Sequence, residues 1–156
     1  MPTHDRQRAK GRREGGSFCA LPHHLFRSTQ ERPAPAAQLT RTARALLVDM
    51  AMQFDGKNNG NLSAAPKIMS AYGWHSRGTL DAALTELIAE GFIEVTRQGG
   101  RNRASLYALT WKGIDAGPHD APPSPVPSRL FLPENEHRRD ERHRRRWREQ
   151  QRGAAN

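Results

Sequence analysis

Apolar residues recur along one helical face in the first half of the chain. The positions i, i+3, i+4, i+7, i+8 and i+11 are occupied by Ala43, Leu46, Leu47, Met50, Ala51 and Phe54. This spacing predicts an amphipathic helix with one buried side. Thr40 is suited to cap its start. The run 55–60 should end it, because Asn and Gly tolerate the left-handed backbone of tight turns.

A second helix is predicted to start at Ser63, whose hydroxyl can cap the first turn. Pro66 fits that turn because a backbone nitrogen has no helical hydrogen bond to lose there. The side chains expected to face the core are Ile68, Met69 and Tyr72. The following residues have the length of an elbow between two helices, with Gly73 at the bend.

A third helix is predicted between a cap at Ser76 and a stop at Gly91. The residues expected on its buried side are Leu80, Ala83, Leu84, Leu87 and Ile88. Those expected to face solvent are Arg77, Asp81, Thr85 and Glu86. Two strands should follow at about 92–97 and 105–111, joined across Gly99 and Gly100. The pattern predicts an α+β fold that is mainly helical and has one small β-hairpin.

The composition divides the chain into a central domain and polar ends. Residues 1–16 lack the apolar area needed to order a backbone, and we expect a disordered basic arm there. The domain should span 17–115, with a helical turn after Pro22. Residues 116–133 are predicted to be an extended Pro-rich linker, and 134–156 an Arg-rich charged tail.

Two features of the C-terminal part leave alternatives open. The apolar triplet 130–132 is either a docking peptide for another protein or a segment that packs back on the domain. The tail has charge pairs at i,i+4 spacing, such as Glu134 with Arg138, which favour a solvated helix. It has no apolar stripe, so we expect it to dock on nothing, and disorder is the other interpretation.

Charge and residue usage narrow the classes of function. The net charge is +9, which favours a polyanionic partner. The single cysteine, Cys19, excludes an intrachain disulfide and a multi-cysteine zinc site. No apolar run is long enough for a signal peptide or membrane span, so we expect a soluble cytoplasmic protein with no membrane partner. No catalytic set, metal site or cofactor motif is recognisable, and an enzyme is not expected.

The predicted order of three helices, a strand, a basic glycine turn and a second strand resembles the winged helix-turn-helix superfamily over residues 39–111. More narrowly, the run 73–80, the run 83–87 and Gly91-Phe92-Ile93 are similar to winged-helix modules of replication-associated and regulatory proteins of bacterial plasmids, phages and integrated elements. The resemblance implies a double-stranded DNA partner, with a role in replication or transcription regulation.

The resemblance also implies which residues contact DNA. In that superfamily the front of the third helix enters the major groove and the wing contacts the adjacent backbone. This places Ser76, Arg77 and Thr79 near base edges or phosphates, and Lys67 near a phosphate. The residues that fall on the wing are Arg97, Gln98, Arg101, Asn102 and Arg103. Carboxylates of the third helix, Asp81, Glu86 and Glu90, oppose this role because they repel phosphates.

Two other functions fit the same sequence. One is a winged-helix protein–protein interaction module, or a homodimer, in which Asp81 and Glu86 face a basic partner. The other is RNA binding through the Arg-rich tail, which would fold on contact. The sequence alone does not choose between them.

Overall fold

The computed structural model describes residues 16–154. The predicted basic arm therefore lies outside the described residues, apart from Gly16. The described part contains five α-helices: α1 (His23–Phe26), α2 (Arg41–Met52), α3 (Pro66–Met69), α4 (Arg77–Ala89) and α5 (Glu136–Ala154). It also contains one antiparallel hairpin, formed by β1 (Ile93–Arg97) and β2 (Leu106–Leu109). The prediction of a mixed helix-and-strand fold is confirmed.

Helices α2 and α4 form the centre of the core. The buried residues of α2 are Ala43, Leu46, Leu47, Met50 and Ala51, as the helical spacing predicts. Thr40 caps the helix, because its Oγ1 accepts a hydrogen bond from the Ala43 amide at 3.1 Å. Gly91 closes α4 with a φ of +78°. The Phe92 amide there donates to the Leu87 carbonyl at 3.0 Å, which is the Schellman pattern.

The second predicted helix is shorter than expected and oriented differently. It starts at Pro66 instead of Ser63 and continues as a 3-10 turn through Ser70–Tyr72. Of the three residues predicted to face inward, only Met69 is buried, whereas Ile68 and Tyr72 are exposed. Ser63 is held instead by Gln53, whose side chain bonds both its amide and its carbonyl. Those bonds keep the Ser63 backbone out of the helix.

The hairpin follows the predicted strands, but its turn lies further along. Ile93 pairs with Leu109, and a bulge interrupts the register between Val95 and Arg97. Gly100 and Arg103 bond each other's backbone, so the turn residues are 101 and 102. Asn102 adopts a φ of +59° there, a conformation that Asn tolerates better than most residues. The predicted junction across Gly99 and Gly100 is therefore wrong by about two residues.

Residues 116–133 pack on the domain and are not an extended linker. Phe131 is 3% exposed. Its ring stacks on Phe92 at 5.6 Å between centroids and on His24 at 6.0 Å. Backbone bonds also join Ile114 to Ser124, and a Cβ on Gly91 would lie 2.5 Å from the Leu130 carbonyl oxygen. The apolar triplet 130–132 thus packs back on its own domain, because Phe131 finds aromatic partners there.

The Arg-rich tail is an ordered helix, α5, that docks on the domain. Of the two interpretations of the tail, the helix is the one that its described residues adopt, and the expectation that the tail docks on nothing was wrong. The contacts are polar, which is why the absence of an apolar stripe was misleading. None of the described helices is both long and apolar enough to cross a membrane.

Candidate functional site

The first turn of α4 is exposed and carries three of the predicted DNA-binding residues. Ser76 caps the helix by accepting a hydrogen bond from the Thr79 amide at 3.3 Å. The Thr79 hydroxyl donates to the Ser76 Oγ at 3.0 Å. Arg77 is 80% exposed and lies 3.6 Å from Asp81. Such an exposed ion pair is weak, so the guanidinium is free to exchange partners.

Two of the three carboxylates on α4 are used inside the molecule. Glu86 accepts hydrogen bonds at 2.7 Å from both the amide and the hydroxyl of Thr40. Glu90 accepts from the Gln38 side chain at 3.0 Å. Glu86 remains partly exposed, and its bonds to Thr40 fix α4 to the start of α2. Asp81 is the carboxylate that remains exposed on α4, and Arg77 accompanies it.

Arg97, a predicted DNA contact, also has a structural role. Its Nε and Nη2 donate to the Ala104 carbonyl at 3.2 and 3.0 Å, and its Nη1 donates to the Pro118 carbonyl at 3.1 Å. These bonds join the two strands of the hairpin to the segment that follows them. These bonds use three of the five N–H donors of the guanidinium, and two remain for another acceptor.

The remaining hairpin residues differ in how strongly they are held. Gln98 accepts a hydrogen bond from Arg146 at 3.2 Å. Arg103 forms an exposed ion pair with Asp120 at 3.4 Å. Arg101 and Asn102 are exposed at the turn, and Arg101 makes no side-chain hydrogen bond or ion pair with the described part of the chain. Arg101 is thus the hairpin cation that is most accessible to a ligand.

Lys67 lies apart from the other predicted residues. It is exposed on α3, the short helix before the elbow. The structure therefore groups the predicted residues into the first turn of α4 and the hairpin.

Sequence reasoning missed the face of α5 that docks on α4 and β1. Arg142 pairs with Glu94 of β1, whose side chain is only 8% exposed and also accepts from Ser128 at 2.8 Å. His143 Nε2 donates to the Ile88 carbonyl at 3.1 Å. The Arg139 guanidinium lies 3.3 Å from the Glu90 carbonyl oxygen. These last two cap the C-terminal end of α4, where carbonyls lack helical partners and the helix dipole favours cations.

The docked face of α5 could have been predicted from the spacing of its polar residues. The four docking positions, 139, 142, 143 and 146, follow the i, i+3, i+4, i+7 spacing that is normally sought in apolar residues. The buried acceptor, Glu94, stands in an apolar strand, and such a carboxylate needs a partner cation. A carboxylate in an apolar strand and a basic stripe on a helix therefore together predict that the helix docks on the strand.

Burial changes the ionisation of two groups beneath and within α5. Desolvation lowers the pKa of Arg142, and the charge of Arg145 lowers it further. Burial raises the pKa of Tyr107 above its ordinary value. Both Arg146 and Asp81 act on that pKa, which places the Tyr107 hydroxyl where α4, α5 and the hairpin meet.

No group of three or more His, Cys, Asp or Glu side chains within residues 16–154 is arranged to hold a metal ion. Comparison of the chain with protein-family models, curated proteins and solved structures finds no match.

Proposed function

We propose that this protein is a winged-helix DNA-binding protein that acts in replication or transcriptional control of a bacterial mobile element. The observation that carries the proposal is that the first turn of α4, the hairpin and α5 all carry exposed arginines, and that α5 adjoins both of the other elements. Arg77 and Arg101 belong to the two elements that the resemblance assigns to DNA contact. Accessible guanidinium groups on adjoining elements suit a phosphate backbone.

The disposition of the acidic residues supports DNA over a basic protein partner. The interaction-module hypothesis needs Asp81 and Glu86 to face a basic partner, and the Glu86 carboxylate is already hydrogen-bonded to Thr40. Repulsion of phosphates by α4 is correspondingly reduced, because the exposed carboxylate Asp81 is accompanied by Arg77. The biological role rests on the resemblance of residues 39–111 alone.

RNA binding is the second candidate, and α5 favours it. This helix contains eight arginines and four carboxylates, and arginine-rich helices bind RNA as well as DNA. A competition experiment separates the two. At equal salt, unlabelled duplex DNA should displace a labelled duplex from the full chain more effectively than single-stranded RNA does. The reverse order would favour RNA.

The principal test of DNA binding is its salt dependence. If about five phosphates are neutralised, a plot of log affinity against log salt concentration should have a slope of roughly −4.5. The double variant Arg77→Ala, Arg101→Ala should make the slope shallower by about 1.8, since two contacts are lost. Absence of binding at low salt, or a wild-type slope near zero, would refute the proposal.

A further inference from the structure

Helix α5 flanks the outward side of α4, and a groove lies between the two helices. His143 meets the Ile88 carbonyl near the end of α4. Further along α5, Trp147 and Gln150 line a groove whose other wall contains Leu84 and Asp81. The groove therefore extends seven residues along each helix, or about 10 Å. Only the first turn of α4, with Arg77, extends beyond it.

This position limits how α4 can meet a duplex. The major groove is about 12 Å wide, enough for one α-helix. A second helix beside the outward side of α4 therefore keeps its later turns away from base edges. The docking contacts keep α5 there, because Arg142 is paired with the buried Glu94 and His143 caps α4.

The face of α5 that points away from the domain is a row of arginines. Arg144, Arg148 and Arg152 follow one another at i,i+4 spacing, about 6 Å apart along the helix axis, and all three are exposed. None of them meets a carboxylate in the described part of the chain. The segment 144–152 contains five arginines and one carboxylate, Glu149, and Glu149 is 3.7 Å from Arg145.

A residue on the docked face links α5 to the hairpin. Arg146 contacts Gln98 at the base of the hairpin, three residues before Arg101. A fixed helix also loses less conformational entropy on binding than a disordered tail does.

The geometry points to the outward face of α5 as the main phosphate-binding surface for duplex DNA, with α4 contributing only its first turn. This inference rests on the proposed DNA-binding function. It assigns three of the five expected phosphate contacts to Arg144, Arg148 and Arg152. It also makes binding largely independent of sequence, because phosphate contacts carry little base information.

A triple variant tests this assignment in the full chain. Arg144→Gln, Arg148→Gln and Arg152→Gln together should change the salt slope from roughly −4.5 to about −1.8, since each lost phosphate contact removes about 0.9. Affinity should fall by the same factor for several unrelated duplex sequences, measured by fluorescence anisotropy. The charge-matched control is Arg27→Gln, Arg41→Gln and Lys57→Gln, on exposed positions of other elements, and its slope should stay at the wild-type value.

The outcomes separate the two proposals. If the wild type binds DNA and the α5 triple variant keeps its slope, the assignment to α5 is overturned and the proposed function survives. A loss that differs more than about tenfold between duplex sequences would also overturn it, since the row would then be reading bases. If the wild type does not bind duplex DNA at low salt, the proposed function itself fails. Circular dichroism of the triple variant should show an unchanged helix content.

Discussion

The two faces of α5 carry the same residue type and have different roles. On the docked face, Arg142 meets the buried Glu94 and Arg139 meets backbone carbonyls of the domain. On the outward face, Arg144 and Arg148 meet no carboxylate among residues 16–154. The difference is set by the acceptors within reach and not by the arginines themselves. An arginine count therefore measures neither stability nor binding until the surroundings of each side chain are known.

The largest expected effect on stability comes from removing Phe131, the buried aromatic residue that precedes α5. Phe131→Ala should lower the free energy of unfolding by about 3 kcal/mol, because a buried ring and its contacts with Phe92 and His24 are lost. Urea denaturation measures this change. Val126→Ala, on a side chain that is 71% exposed, should change it by less than about 0.5 kcal/mol. A loss below about 1 kcal/mol for Phe131→Ala would contradict the packing of 116–133 on the domain.

The next effect concerns the ion pair of the docked face. Arg142→Ala should cost about 2 to 3 kcal/mol of unfolding free energy, because Glu94 stays buried without its cation. The value lies below that of a fully buried pair, since the Arg142 side chain is 38% exposed. Adding Glu94→Gln in the same chain should restore most of the loss. A double variant as unstable as the single one would show that the unpaired charge is not the cause.

A smaller effect is expected at the end of α4. His143→Ala should cost about 1 kcal/mol, because the Ile88 carbonyl loses one of its donors and keeps the Gly91 amide. Hydrogen exchange of the amides in the last turn of α4 should also become faster. His137→Ala, at an exposed position of the same helix, is the control and should leave both quantities unchanged.

Tyr107 offers a test that appears only at alkaline pH. Its pKa in the folded state is raised above the ordinary value of 10.0, so the folded protein favours the protonated phenol. The corresponding stability is fully present below pH 10.0 and is lost as the pH rises through the folded pKa. Tyr107→Phe should therefore lose less unfolding free energy above pH 10 than the wild type. Tyr72→Phe, on an exposed side chain, should retain the wild-type loss.

The smallest effect belongs to the outward face. Arg148→Ala should change the free energy of unfolding by less than about 0.5 kcal/mol, since its side chain bonds only a carbonyl of its own helix. A loss as large as that of Arg142→Ala would remove the distinction between the two faces.

The core elements were predictable because their signals are local. The spacing of Leu46, Leu47 and Met50 predicted the buried face of α2, and Gly91 marked the end of α4. The strands also lie within their predicted ranges. Each of these features depends on residues close together in the chain, where periodicity and glycine geometry act directly.

The surface was less predictable because its contacts connect distant parts of the sequence. The sequence predicts that Arg97 is a cation of the wing. It does not indicate that the carbonyls of Ala104 and Pro118 accept hydrogen bonds from its side chain. The bonds of Glu86 were missed for the same reason, since its partner Thr40 lies 46 positions earlier. The hydrogen-bond partners of long polar side chains depend on which acceptors the fold brings within reach. Composition does not indicate those partners.

The stacking of Phe131 between Phe92 and His24 has a consequence for how the chain is made. Proteins are synthesised from the N-terminus, and an early segment can fold before later ones exist. Here the ring of Phe92 remains uncovered on one side until residue 131 has left the ribosome. The bond between Arg32 and Glu134, 102 positions apart, also closes only then, and such distant contacts slow folding. The newly made chain must therefore hold an incomplete core until Phe131 and Glu134 have been added.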